Sequence, residues 1–142
     1  MKNIYIYILI GAALLSVLCL AVFLGKSGSV DIRTDKKVYA PGDTQVVSIK
    51  NNYGRTVCFS SCYPYRVEKR ETEWKSYEYD SCSDTDVVDI CLGKSETKKF
   101  KITLDEVDTG INRISIGACV DCKIGDSFKE DKVFYSNSFE VE

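Results

Sequence analysis

From residue 30 onward, apolar and polar residues alternate along the chain, and turn signals interrupt the alternation every few residues. A period of two sends successive side chains to opposite faces of a strand. Residues 30–34 and 37–39 read as a first strand, broken near Asp35. In the turn Ala40-Pro41-Gly42-Asp43, proline presets φ and glycine permits positive φ. Residues 45–51 follow, with Val47 and Ile49 on one side and Ser48 and Lys50 on the other, before the turn Asn52-Tyr53-Gly54. Further strands are predicted over 56–59, 65–71, 74–79, 87–92, 98–104, 111–118 and 132–141. Their inward positions are Val57 and Phe59; Phe100, Ile102 and Leu104; Ile114, Ile116 and Ala118; and Val133, Tyr135, Phe139 and Val141. About seven to nine short strands, each with one apolar face, bury those faces best as two antiparallel sheets packed together. The fold class is therefore all-β, a β-sandwich, with a closed barrel as the alternative. Residues 30–142 form the one domain.

The segment before that domain has a different character. A run without charge opens at Ile4 and closes at Leu24 (residues 4–24), after a short tail of residues 1–3. About 20 apolar residues span a bilayer as a helix, whereas a cleaved signal peptide carries roughly 7–15. The run reads as one N-terminal transmembrane helix, an uncleaved signal anchor, with Tyr5 and Tyr7 near the headgroup layer. The alternative is secretion after cleavage near Ser29, where Ser27-Gly28-Ser29 supplies small residues. Leu18 is too large for the site before a lipidated cysteine, so Cys19 reads as an apolar residue of the span. Residues 25–29 are a tether. The basic residues Lys2, Lys26, Arg33, Lys36 and Lys37 lie on both sides of the span, so the positive-inside rule does not orient it.

Charge and cysteine usage narrow the function. All 21 Asp and Glu lie at or after Asp31, and only Lys2 and Lys26 of the 19 Lys and Arg precede it. The domain is net acidic, which argues against a nucleic-acid partner. The chain has no histidine, which removes Ser-His-Asp and Cys-His catalysis and His-ligated zinc. Outside the span stand six cysteines: Cys58, Cys62, Cys82, Cys91, Cys119 and Cys122. An even set behind an export segment reads as disulfides in a domain held outside the cytoplasm. Cys58 and Cys62 are expected to pair with Cys82 and Cys91, in an order the sequence leaves open, and Cys119 with Cys122. Two alternatives use the same residues. Cys58, Cys62, Cys119 and Cys122 have the type and count of a structural zinc site, which would leave Cys82 and Cys91 over. Cys119-Val120-Asp121-Cys122 has the spacing of a redox couple, but it follows a strand and sits beside an anion that raises a thiol pKa.

Other residues carry weaker signals. Asp80, Asp84, Asp86 and Asp89 form an acidic stretch that reads as a solvated loop, with weak Ca²⁺ binding as the functional alternative. Lys98, Lys99 and Lys101 surround Phe100 and read as strand-edge protection. Aromatic residues concentrate between Tyr53 and Tyr79, with Trp74 expected in the core or at its edge. Tyr63, Tyr65, Tyr77 and Tyr79 form a candidate binding surface for an extracellular protein or glycan.

An ordered set of motifs then resembles a known family. Tyr39-Ala40-Pro41-Gly42-Asp43, with a strand ending at Asn51, resembles the opening of prokaryotic extracytoplasmic immunoglobulin-like domains. Val67-Glu68-Lys69 leading to Trp74 is similar to their central hairpin, and Gly93-Lys94-Ser95-Glu96 to the turn before a later strand. Gly110-Ile111-Asn112-Arg113-Ile114 and Tyr135-Ser136-Asn137-Ser138-Phe139-Glu140-Val141 resemble the last two strands. Lys94 and Asn112 depart from the family pattern. The resemblance implies an immunoglobulin-like sandwich serving as a non-catalytic adhesion, spacer or accessory module, with no cofactor. A related class of sandwiches inhibits proteases through end loops, which is a further alternative here.

Overall fold

The computed structural model describes residues 28–77 and 85–142. The expected span from Ile4 to Leu24, and Tyr79, Asp80, Cys82 and Asp84, lie outside the described residues. Among the described residues there is no helix. Eleven strands follow one another: β1 (Val30–Thr34), β2 (Val38–Tyr39), β3 (Thr44–Asn51), β4 (Val57–Ser60), β5 (Arg66–Arg70), β6 (Trp74–Ser76), β7 (Val88–Leu92), β8 (Thr97–Thr103), β9 (Gly110–Val120), β10 (Lys132–Tyr135) and β11 (Phe139–Val141).

They form two sheets. The smaller has the order β1-β3-β8, antiparallel throughout. The larger is organised around β9, the longest strand. The first half of β9 pairs with β11 on one side and β5 on the other. Its second half pairs with β10 and β4. The β5–β6 hairpin and β7 extend the sheet beyond β5 and β4, and β2 runs parallel to β11. The inner faces meet in one core. Ile32, Val47, Ile49 and Ile102 come from the small sheet, and Tyr39, Phe59, Val67, Leu92, Ile114, Ile116, Phe139 and Val141 from the large one.

Alternation set these faces as the sequence predicts in β3, β8 and β9: Val47, Ile49, Ile102, Leu104, Ile114, Ile116 and Ala118 are all buried. The C-terminal region corrects the sequence reading. Residues 132–141 are two strands, not one, and Phe134 packs on the core whereas Tyr135 is exposed. The break has a local cause. The Ser136 hydroxyl accepts from the Ile114 amide (2.9 Å) while the Ser136 amide donates to the Ile114 carbonyl (2.9 Å), so a side chain interrupts the ladder. The face that turns inward changes across the break, from Phe134 to Phe139 and Val141. The strand expected over 74–79 ends at Ser76, although the Tyr77 amide still donates to the Val67 carbonyl.

Two buried polar residues stand at the ends of the inner face of β3. Asn51 is fully satisfied. Its side-chain amide donates to the carbonyls of Arg55 (2.7 Å), Leu92 (2.9 Å) and Gly93 (3.1 Å), and its oxygen accepts from the Tyr53 amide (2.9 Å). Gln45 is fully buried opposite Ile102, and among the described residues neither polar atom of its side chain has a partner at hydrogen-bond geometry, the Tyr39 hydroxyl being close enough only for a weak interaction. A buried amide left unpaired costs about 1–3 kcal/mol. Gln45→Leu is therefore expected to raise stability by about 1 kcal/mol, read as a higher urea midpoint with an unchanged m-value.

A polar knot ties β1 to β3 and β2. Asp35 Oδ1 accepts from the Tyr39 hydroxyl (2.8 Å) and the Val46 amide (2.8 Å). Partial desolvation works against the carboxylate, but these two donors outweigh it and hold Asp35 below the usual aspartate range. A depressed folded-state pKa gives stability that is present above the unfolded value of about 3.9 and lost as pH falls through the folded value. Asp35→Asn keeps the acceptor and loses the charge. Its stability deficit relative to the natural chain is expected to shrink as urea titrations move from pH 7 to below pH 4.

Candidate functional site

The large sheet presents its outer face away from the core, and three of the cysteines lie in one row across it. In β4, Val57 and Phe59 point into the core, so Cys58 between them points outward. Cys58 is the direct cross-strand partner of Cys91 in β7 and of Cys119 in β9. Cys58 and Cys91 are bonded, with Cα atoms 4.0 Å apart. Cys119 is bonded to Cys122 across the turn that follows β9. At the tip of that turn Asp121 has φ 57°, its amide donates to the Thr56 carbonyl, and its carboxylate pairs with Arg55. Cys62 is also disulfide-bonded. The zinc reading needs reduced sulfurs at Cys58, Cys62, Cys119 and Cys122, and all four are in disulfides here. Among the described residues one group of potential metal ligands converges, Cys119, Cys122 and Asp131, with ligand atoms within 4.8 Å of one another. The Asp131 carboxylate already accepts from the Val120 amide (3.1 Å).

The described tyrosines of the candidate surface gather at one corner of the sandwich. Tyr63 and Tyr77 line a shallow recess with Arg66 and Ser76. Tyr65 stands where the two sheets part, and its ring stacks on Phe100 of β8 with centroids 5.3 Å apart. It separates two clefts of about 290 Å³ each. One is lined by Ile49, Phe59, Pro64, Ile90 and Phe100 and rimmed by Lys98 and Lys101. The other is lined by Val67, Tyr77, Ile102 and Val107 and rimmed by Asp105 and Glu106. Tyr77 itself holds the fold together. Its hydroxyl accepts from the Asp108 amide (2.9 Å) and lies 3.4 Å from the Asn112 oxygen, to which it donates. Burial, with the nearby Asp108 carboxylate, pushes its phenol pKa up.

The acidic stretch does not assemble a calcium site among the described residues. Asp86 accepts from the Ser60 hydroxyl (2.7 Å) and the Cys62 amide (3.4 Å), which closes the loop after β4. Asp89 is exposed where β7 bulges against β4.

One cluster has no counterpart in the sequence reading. The Arg113 guanidinium on the outer face of β9 lies between two rings, 4.2 Å from the Trp74 centroid and 3.9 Å from that of Tyr135. Glu68, directly opposite on β5, accepts from it at 2.7 Å. Trp74 is therefore on the outer face, half-buried under an arginine, and not in the core. Alternation alone places Arg113 and Glu68 outward; that they face each other depends on strand order, which local sequence does not carry.

No protein-family model matches the chain, and no curated protein matches it. Among solved structures, the sporulation control protein Spo0M of Bacillus subtilis is similar over 82% of this chain at 14% identity and a TM-score of 0.43; the chain spans about half of that one, 49%. A CARDB domain from Pyrococcus furiosus, in complex with di-metal ions, is similar over 82% of this chain and 90% of its own, at 14% identity and a TM-score of 0.38. Part of a beta-glucosidase from Listeria innocua also aligns, over 80% of this chain and 16% of the enzyme, at 17% identity and a TM-score of 0.33. Likeness at this level does not extend to function.

Proposed function

We propose that the chain is a non-catalytic, membrane-anchored module whose immunoglobulin-like domain, residues 30–142, works outside the cytoplasm and binds an extracellular protein or glycan at the Tyr63–Tyr65 corner. One observation carries the compartment: every cysteine among the described residues is in a disulfide. Such usage belongs to oxidising compartments. The uncharged run of residues 4–24 supplies the anchor. The corner supports a binding role because half-buried rings meet a basic rim on one side and an acidic rim on the other, a surface with both contact area and polarity.

Two measurements test this reading on the full chain. Cells expressing it are shaved with protease and their membranes washed with carbonate. The domain is expected to be digested from outside while the N-terminal segment stays with the membrane. Protection of the domain in intact cells overturns the location. For the corner, Lys98→Glu and Lys101→Glu, both exposed on its basic rim, are expected to leave the unfolding midpoint nearly unchanged and to weaken capture on a glycan array or an immobilised peptide library. Identical capture by both variants and the natural chain overturns the assignment of the surface.

A further inference from the structure

Cys58 has a cysteine directly opposite it on each neighbouring strand, a close pair on one side and a wider, hydrogen-bonded pair on the other. Its partner in β7 is Cys91 and its partner in β9 is Cys119. Directly opposed residues project from the same face with Cβ atoms about 4.5–5.5 Å apart. A disulfide spans a Cβ separation of about 3.5–4.5 Å, so a small approach of either strand brings either partner within bonding reach. The two existing bridges already touch, since Cys58 Sγ lies 3.2 Å from the Cys122 carbonyl oxygen. Burial is graded along the row. Cys58 is 0% exposed and Cys119 2%, whereas Cys91 and Cys122 at the two ends are half-buried. The inner pair is shielded and the outer pair is reachable.

From this arrangement we infer that the four cysteines form a thiol–disulfide exchange site, in which Cys58 alternates between Cys91 and Cys119. The inference uses strand register alone and does not depend on the anchor or the tyrosine corner. The co-reactant is an external dithiol. One of its thiolates attacks Cys122 Sγ, the Cys119–Cys122 bond breaks, and the electron pair leaves on Cys119. The second thiolate of the dithiol attacks its own sulfur in the mixed disulfide and releases Cys122 as a thiolate. The dithiol is oxidised by two electrons and the Cys119–Cys122 pair is reduced by two. The Cys119 thiolate then attacks Cys58 Sγ, the Cys58–Cys91 bond breaks, and Cys91 leaves as a thiolate that takes a proton from water. This last step forms one disulfide and breaks one, so it needs no further reductant. It moves one of the two thiols from Cys119 in β9 to Cys91 in β7, and leaves Cys91 and Cys122 as two reachable thiols.

The test removes the need for a dithiol. In Cys122→Ser, Cys119 has lost its partner, and only the last step remains. The full-length variant is incubated at pH 8.5, near the ordinary thiol pKa, quenched with acid, alkylated in denaturant and mapped by mass spectrometry. Cys58–Cys91 is the close pair, with Cα atoms 4.0 Å apart, whereas Cys58–Cys119 is the wider, hydrogen-bonded pair, so an exchange constant below one is expected. A minority of the chains, on the order of a tenth, should carry a Cys58–Cys119 link with alkylated Cys91. Cys91→Ser provides the reverse case and keeps the test informative if the first variant fails to fold. There the Cys58 thiol attacks Cys119, giving the same link with alkylated Cys122. A map showing only the parental bridge in whichever variants fold, or a Cys58–Cys119 link that forms only in denaturant, overturns the inference.

Discussion

Asn51→Leu is expected to lower the unfolding free energy by about 3 kcal/mol, a large share of the roughly 5–15 kcal/mol of an ordinary domain. Leucine has the same branched, four-heavy-atom side chain with bulkier ends, so the loss is chiefly polar, with some added crowding. Three carbonyls, those of Arg55, Leu92 and Gly93, and the Tyr53 amide lose their partner at once. Asn51→Asp separates donor from acceptor. It keeps the oxygen for Tyr53 but sets a carboxylate against three carbonyls, and is expected to be at least as damaging. Urea unfolding of both variants checks this. A loss below about 1 kcal/mol in both would mean that the two turns are held by backbone bonds alone.

Asn51 also marks how far the sequence could be read. Its position at the end of an alternating strand was legible, and so was the inward face it shares with Val47 and Ile49. Its role was not, because its acceptors on Leu92 and Gly93 are about 40 residues away, at separations of 41 and 42. The same division holds elsewhere. Period two located the core residues of β3, β8 and β9. The split between β10 and β11 depends on the Ser136 hydroxyl meeting β9, and the Arg113 stack depends on Trp74, Glu68 and Tyr135 arriving from three other strands. In the site, the local Cys119–Cys122 spacing was visible, whereas the row Cys91, Cys58, Cys119 exists only once β4 lies between β7 and β9.

Removing the inter-strand bridge is expected to cost more than removing the local one. Cys58 and Cys91 are separated by 33 positions and Cys119 and Cys122 by 3. Loop-closure entropy assigns about 4 kcal/mol to the first and about 2 kcal/mol to the second. Cys58→Ala/Cys91→Ala should therefore shift the urea midpoint about twice as far as Cys119→Ala/Cys122→Ala, with m-values showing whether the unfolded ensemble has expanded. The reverse order would mean that the turn bridge acts on the folded state, by holding the 121–131 segment against β9, where Glu130 packs over Gly117 and Asp131 binds the Val120 amide.

The parallel ladder between β2 and β11 joins Val38 to Glu140 and Tyr39 to Val141, and the Glu140 amide donates to the Lys37 carbonyl. During synthesis, β2 waits on the ribosome for a partner made about a hundred residues later, although β1 finds β3 soon after it. Until β9 emerges, the large sheet has no centre, and until β11 follows, Tyr39 has no Phe139 ring to meet edge-on. The large sheet therefore closes only when nearly all of the chain is made, as non-local pairing dictates. A channel that threads only extended polypeptide would receive such a chain in the form it can carry.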